Sequence, residues 1–303
     1  MAPHPLQSSV FRTAVAVVGI TAASAACAAD GKLLLTGGVS SIDGAAGGGL
    51  TPWAVTASHA ASNEVGATAH LTRVQSQDYT LNAYGASLGW HDRLEITLAR
   101  QDFDTRQTGA ALGLPGLHLK LDVLGVKWRV AGDAVLDADT WMPQVAVGLQ
   151  HKRLDAAGLA PTLASLGART QDTDLTVSAT KLFLAQGVLA NATLRLTRAN
   201  QNGLLGFGSA TQRHHQPMAE LSLAWLASRH WVIGAEWRMK PDNLNPSALG
   251  AGLKEGDWAD LFVAWAPNKT ISFTLAHVAL GPIVPAVMPR HQRAIYLSTQ
   301  VAF

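Results

Sequence analysis

The last ten residues, AIYLSTQVAF (294–303), have a period of two: Ile295, Leu297, Thr299, Val301 and Phe303 share one parity, and Ala294, Tyr296, Ser298, Gln300 and Ala302 the other. Side chains alternate between the two faces of an extended chain, so this stretch is a β-strand with one greasy face. WVIGAEWRMK (231–240) repeats the pattern more sharply, with Trp231, Ile233, Ala235, Trp237 and Met239 facing one way and Glu236, Arg238 and Lys240 the other.

Working outward from these two segments, the alternation recurs along the chain. Val188, Ala190, Ala192, Leu194 and Leu196 oppose Arg195; Leu221, Leu223 and Trp225 oppose Glu220; Leu261, Val263 and Trp265 oppose Asp260. Ile271–Leu275 and Val145–Leu149 behave alike, and Leu94, Ile96 and Leu98 oppose Arg93 and Glu95. Leu124, Val126, Trp128 and Val130 oppose Lys127 and Arg129, but Leu117, Leu119 and Leu121 have the other parity, which predicts a bulge or a later strand start. Lys181 shares the parity of Leu175, Val177 and Phe183, so it either snorkels to an interface or marks another bulge.

A soluble sandwich also alternates, and the connections separate the two cases. The gaps 280–290, 241–256, 199–216 and 153–172 are long, while 267–268, 228–230 and 185–187 are short. Long loops alternating with tight turns are the mark of an antiparallel transmembrane β-barrel. Further strands near 117–130, 92–101, 79–90, 65–75 and 50–59 bring the count to thirteen. Both ends of such a barrel normally lie on the same side, so an even number is required. The run 31–36 supplies a fourteenth, and the expected fold is all-β, a single 14-stranded barrel over 30–303, or 12-stranded if the first pair folds inside.

That choice rests on GGVSSIDGAAGGG (37–49). No Gly-Lys-Ser/Thr and no helical period follows it, so it is not a phosphate-binding loop. Its glycines instead permit a tight first hairpin that either completes the wall or enters the lumen.

The chain has 303 residues, 48% hydrophobic and 15% charged, with 28 glycines. Residues 1–29, with Arg12 as the only charge before an apolar run and small residues at Ala26, Ala28 and Ala29, read as a secretory signal. Its removal takes away one base and no acid, so the formal charge falls from +2 to +1, which excludes a basic nucleic-acid binder. The sole cysteine, Cys27, leaves with it. No 18-residue apolar run suits a spanning helix. His214-His215 have no companion ligands close in sequence, and no G-x-S-x-G occurs, so neither cofactor, metal nor catalytic residue is expected. Trp53, Trp90, Trp141, Trp225, Trp231, Trp237, Trp258 and Trp265 fall in or beside strand ends, as interfacial girdles require.

The stretches LLLTGGVSSIDGAAGGGLTPWA (33–54), TKLFL (180–184), TRANQNGLLGFG (197–208), KPDNL (240–244) and DLFVAWAPNK (260–269) resemble a proteobacterial family of uncharacterised secreted proteins, a domain of unknown function. The resemblance covers nearly the whole mature chain. It implies an outer-membrane protein and transfers no catalytic residue. The terminal Phe303 likewise resembles the ending that the barrel-assembly machinery reads, so that machinery and outer-membrane lipid are the expected partners.

With the greasy face toward lipid, Arg93, Glu95, Lys127, Arg129, Arg195, Glu220, Glu236, Arg238, Lys240 and Asp260 are expected to line the lumen. Such a lining suits a channel or solute-uptake barrel in the outer membrane. A structural or envelope-assembly barrel, its lumen plugged by mutual salt bridges, is the alternative, and a lipid-modifying enzyme is third.

Overall fold

The computed structural model describes residues 34–61, 63–133, 141–247 and 250–303. The signal reading of 1–29 and the first residues of the expected strand 31–36 lie outside them. Short strands β1 (Val39–Ser40) and β2 (Ala46–Gly47) form a separate miniature hairpin. The other strands are β3 (Val65–Ser76), β4 (Thr80–Trp90), β5 (Leu94–Asp104), β6 (His118–Ala131), β7 (Gln144–Asp155) and β8 (Gln171–Phe183), followed by β9 (Val188–Thr197), β10 (Gln216–Leu226), β11 (Trp231–Arg238), β12 (Trp258–Trp265), β13 (Ile271–Gly281) and β14 (Gln292–Ala302). These twelve form a closed barrel of sequential antiparallel neighbours, sealed where β14 meets β3.

The wall therefore has 12 strands, not the preferred 14. Ala294↔Ser76 through Ala302↔Thr68 occupy the seam, and Phe303 and Ala67 exchange backbone hydrogen bonds beside it at 2.8 and 3.0 Å. No edge is left for an earlier pair to extend. Residues 34–37 make a 3-10 turn, and residues 35–58 are buried throughout, inside the barrel. The glycine-rich hairpin has entered the lumen.

Two local expectations are also corrected. No bulge interrupts β6 at Leu119–Leu124, where its pairing with β5 and β7 runs without a shift until Arg129/Ala131. Leu119, Leu121 and Val123 point inward and are fully buried, while Leu124, Val126 and Trp128 point outward. The parity changes because the lumen is apolar at this end: Leu204, Leu205 and Phe207, from the β9–β10 connection, belong to the same buried cluster. Lys181 is outward-facing in an unshifted β8, close to the 184–187 turn, which is the snorkelling geometry.

The outer face carries large exposed apolar side chains, including Leu71, Leu223, Leu261 and Leu297, all more than half exposed. A contiguous greasy surface of this kind is stable only under hydrocarbon, and a closed barrel satisfies the backbone there. Trp90, Trp128, Trp225, Trp231 and Trp265 gather at the short-turn end, with Trp231 and Trp265 stacked at 5.7 Å. Trp53 and Trp258, expected in a girdle, are instead buried in the interior.

Candidate functional site

The candidate site is the filled lumen. Inward side chains of the wall stand in for strand neighbours along the 35–60 segment and pair backbone polar groups that burial would otherwise strand. Thr180 Oγ1 accepts from Ala54 N–H at 2.8 Å, Gln144 Nε2 donates to Ala54 O at 2.9 Å, and Thr193 Oγ1 donates to Pro52 O at 2.9 Å. Trp53 Nε1 donates to Ser222 Oγ at 3.0 Å.

Carboxylates do the same work with more strength, since a charged acceptor roughly doubles a hydrogen bond. Glu95 accepts from Ala46 N–H and Ala57 N–H at 3.2 and 2.7 Å and pairs with Lys127 at 3.1 Å. Lys127 in turn donates to the carbonyls of Ala46 and Trp53 at 3.2 and 3.0 Å. On the opposite wall Glu236 accepts from Leu50 N–H at 2.8 Å, Ser222 Oγ at 2.9 Å and Thr51 Oγ1 at 2.5 Å. Two glycines make the approach possible. A Cβ on Gly48 would sit 2.3 Å from Glu236 Oε1, and one on Gly47 would sit 1.9 Å from Thr51 O.

Deeper in the lumen, six buried charges form a closed ring of alternating sign. Asp43 meets Lys152 at 3.5 Å, Lys152 meets Asp174 at 3.2 Å, and Asp174 meets Arg195 at 3.2 Å. Arg195 meets Glu220 at 2.5 Å, Glu220 meets Arg238 at 3.2 Å, and Arg238 returns to Asp43 at 3.3 Å. Five consecutive strands, β7 to β11, each supply one member, and the inner segment supplies Asp43. With three acids and three bases the ring is formally neutral; without Asp43 the wall would keep three bases against two acids. Burial alone raises the Asp43 carboxyl, but Lys152, Arg238 and Arg195 outweigh that and hold it below the usual carboxylate range. Asn202 clamps the ring from above, donating to Asp43 at 2.8 Å and accepting from Lys152 and Arg238 at 2.7 Å each.

Asn202 and Gln201 have positive φ (61° and 45°) in the turn Asn200–Gly203, which dips into the barrel from the long-loop end. Gln201 N–H donates to Glu255 at 2.9 Å, and Lys240 bonds Gln201 Oε1 at 2.6 Å, Glu255 at 3.3 Å and the Trp258 ring face at 4.5 Å. Burial pushes Glu255 up to about 7 against the pull of Lys240, and burial likewise lowers Lys240. Gln201 Nε2 also donates to Pro282 O at 3.2 Å, so the cluster latches three connections over the lumen, 198–215, 239–257 and 282–291. Between inner segment and wall there remains a cavity of about 40 Å³, bounded by Ile42, Leu50, Phe103, Leu204 and Tyr296 among others. That is far below the roughly 300–1,000 Å³ of small-molecule sites.

Of the residues expected in the lumen, Glu95, Lys127, Arg195, Glu220, Glu236, Arg238, Lys240 and Asp260 are buried. Asp260 stands opposite Glu236 in the β11–β12 register. Two residues depart from the expectation. Arg93 is exposed in the β4–β5 turn, because β5 begins only at Leu94. Arg129 is half-buried where the β6–β7 register breaks, bonded to Gly132 O at 3.3 Å. Sequence reasoning missed Lys152 and Asp174, although extending the Gln144/Gln150 parity by two residues reaches Lys152. Asp43, Asn202 and Glu255 lie in connections, where periodicity carries no signal. His215 contacts Thr173 O at 3.0 Å and Asp172 at 3.3 Å, and no group of three potential metal ligands occurs among the described residues.

A closed, sequentially wound antiparallel barrel, greasy outside and charged within, is the fold of outer-membrane β-barrels, and this chain is one whose lumen is occupied by its own N-terminal segment. It belongs to the family described as "Protein of unknown function (DUF3034)", which matches residues 36–300. The expected family likeness thus holds. No curated protein matches the chain. Among solved structures it is similar to the NanC porin (TM-score 0.50, 6% identity, 78% of this chain and 98% of that one). It also resembles the KdgM porin in complex with oligogalacturonate (0.48, 6%, 78% and 99%) and outer membrane phospholipase A from Escherichia coli (0.43, 10%, 77% and 92%). At such identities the likeness concerns the fold alone.

Proposed function

We propose that the protein is an outer-membrane channel for small solutes that rests closed, with residues 35–60 as its plug. The observation that carries this reading is the charge ring, because the wall supplies an incomplete set of charges that Asp43 of the plug completes. Beside its buried Ile42, Leu50, Trp53 and Val55, the plug is held by ion pairs and by hydrogen bonds to carboxylates, contacts that water and solute can replace, and none of its contacts is part of the wall's strand pairing. The long loops face outward and the short turns the periplasm; Phe303, on the outer face beside the seam, is the signal for the assembly machinery, and lipid covers the apolar belt. Catalysis forms no part of the proposal.

The ring's neutrality also favours a second reading, a structural barrel whose plug never leaves. Planar-bilayer recording separates the two. The intact protein should be mostly silent, whereas deletion of residues 35–60 should give steady single-channel conductance that Arg238→Ala alters. If the deleted barrel keeps its heat-shifted gel mobility yet stays silent, the channel reading fails. If the deletion does not fold, Glu95→Gln combined with Glu236→Gln tests the same point by loosening the plug in place.

A further inference from the structure

We propose that Arg169, Arg198 and Arg213 form a phosphate-binding site on the long-loop rim of the barrel. With Gly167, Gly208 and Ser209 among its walls, the three residues line one pocket of about 270 Å³. They come from three separate places: Arg169 precedes β8, Arg198 follows β9, and Arg213 lies in the connection to β10. Only the fold brings them together.

The backbone beneath them is rigidly tied. Arg169 and Phe207 exchange N–H···O bonds at 3.0 and 2.9 Å, Ala210 N–H donates to Leu166 O at 2.9 Å, and Gly208 N–H donates to Arg198 O at 2.6 Å. Gly167 and Gly208 have φ of +75° and +68°, and a Cβ on either would meet backbone at 2.5 and 2.7 Å. Gly167 thus lets the β7–β8 connection approach Ala210 of the β9–β10 connection more closely than a side chain would allow, and Gly208 lets the β9–β10 connection fold tightly on its own Gln212, which gathers the three arginines at one pocket.

The charge is unbalanced there. Asp172 takes a bidentate contact from Arg198, whose Nη1 also donates to Arg213 O at 2.7 Å and so orients the loop carrying Arg213. Arg169 and Arg213 are exposed, and among the described residues neither makes an ion pair. Three guanidinium groups against one carboxylate leave a formal excess of two positive charges in the pocket. Like charges so gathered repel unless an anion sits among them, and a phosphate dianion matches both the excess and the forked donors of arginine. Arg198 continues the outward parity of Leu194 and Leu196, so the pocket stands beside the lipid headgroups and not over the lumen. The phosphate could then belong to an outer-leaflet lipid headgroup or to a soluble phosphate ester.

The test uses the full chain in detergent micelles, titrated separately with inorganic phosphate and with a phosphorylated glucosamine lipid, alongside the dephosphorylated lipid. Arg169→Gln combined with Arg213→Gln touches only exposed side chains, and retained heat-shifted mobility checks the fold. The double variant should weaken phosphate or phospholipid binding at least tenfold, and the corresponding double Lys variant should restore part of it. Binding of inorganic phosphate assigns a soluble source, and binding of the phosphorylated lipid alone assigns the headgroup. Unchanged affinity in the double Gln variant, equal binding of the dephosphorylated lipid, or no binding of either phosphate probe would overturn the site.

Discussion

Asp43→Asn tests the role of the charge ring most directly, because it keeps the volume of the side chain and removes one charge. The five wall members remain, and two of them lose a partner: Lys152, which keeps Asp174 at 3.2 Å, and Arg238, which keeps Glu220 at 3.2 Å. Removing one member of a buried pair costs about 3–5 kcal/mol, and the retained partners place this case near the lower end, at about 3 kcal/mol. At 1.4 kcal/mol per factor of ten, that is roughly a hundredfold shift of the plug from docked toward undocked. Amide hydrogen exchange in micelles reads it out. The amides of Ala46, Leu50 and Ala57, which donate to wall carboxylates, should exchange about a hundredfold faster, while amides of the wall strands hold their rates. Adding Lys152→Met returns the ring to two acids and two bases, so the double variant should recover much of the protection. Plug exchange changed by less than about threefold in Asp43→Asn would refute the idea that the ring holds the plug.

Two further outcomes follow from the geometry. Gly47→Ala places a Cβ against Thr51 O, where it would lie 1.9 Å away, so it should loosen the plug and raise protease cleavage within 37–57 while leaving the gel-shifted barrel intact. Glu255, lifted by burial to about 7 from 4.5, binds its proton more tightly in the latched state. The latch should therefore weaken as pH rises from about 4.5 to about 7, with Glu255→Gln abolishing that slope in limited proteolysis of the 240–257 connection. Lys240, lowered by burial, acts with the opposite sign, its contribution rising as pH climbs toward the ordinary lysine value of 10.5.

All twelve wall strands were legible because lipid on one side and polar groups on the other impose a period of two. The bounds at Trp231–Arg238 and Gln292–Ala302 lie within a few residues of those read from the pattern. Residues 50–59 misled for a physical reason. That stretch bends repeatedly inside the lumen, and Ala54 and Ala57 pair there with side chains, Thr180, Gln144 and Glu95, which leave no trace in its own periodicity. Leu119, Leu121 and Val123 misled for the converse reason, since an apolar cap inside the barrel inverts the rule that greasy residues face out.

What the sequence by itself determined was the class: an antiparallel barrel, its lipid-facing belt, and the identity of most inward charges. Those are local properties, set by the alternation of each strand and by the lengths of its connections. What only the tertiary structure decided was the occupant of the lumen and the order of the charges around it. Asp43 lies 109 to 195 residues from the ring members it touches, Lys152 and Arg238, and on the sequence it is one acid in a glycine-rich turn. Closure of β14 on β3 denies the first segment a place in the wall, and the unbalanced charges of β7 to β11 then hold it inside.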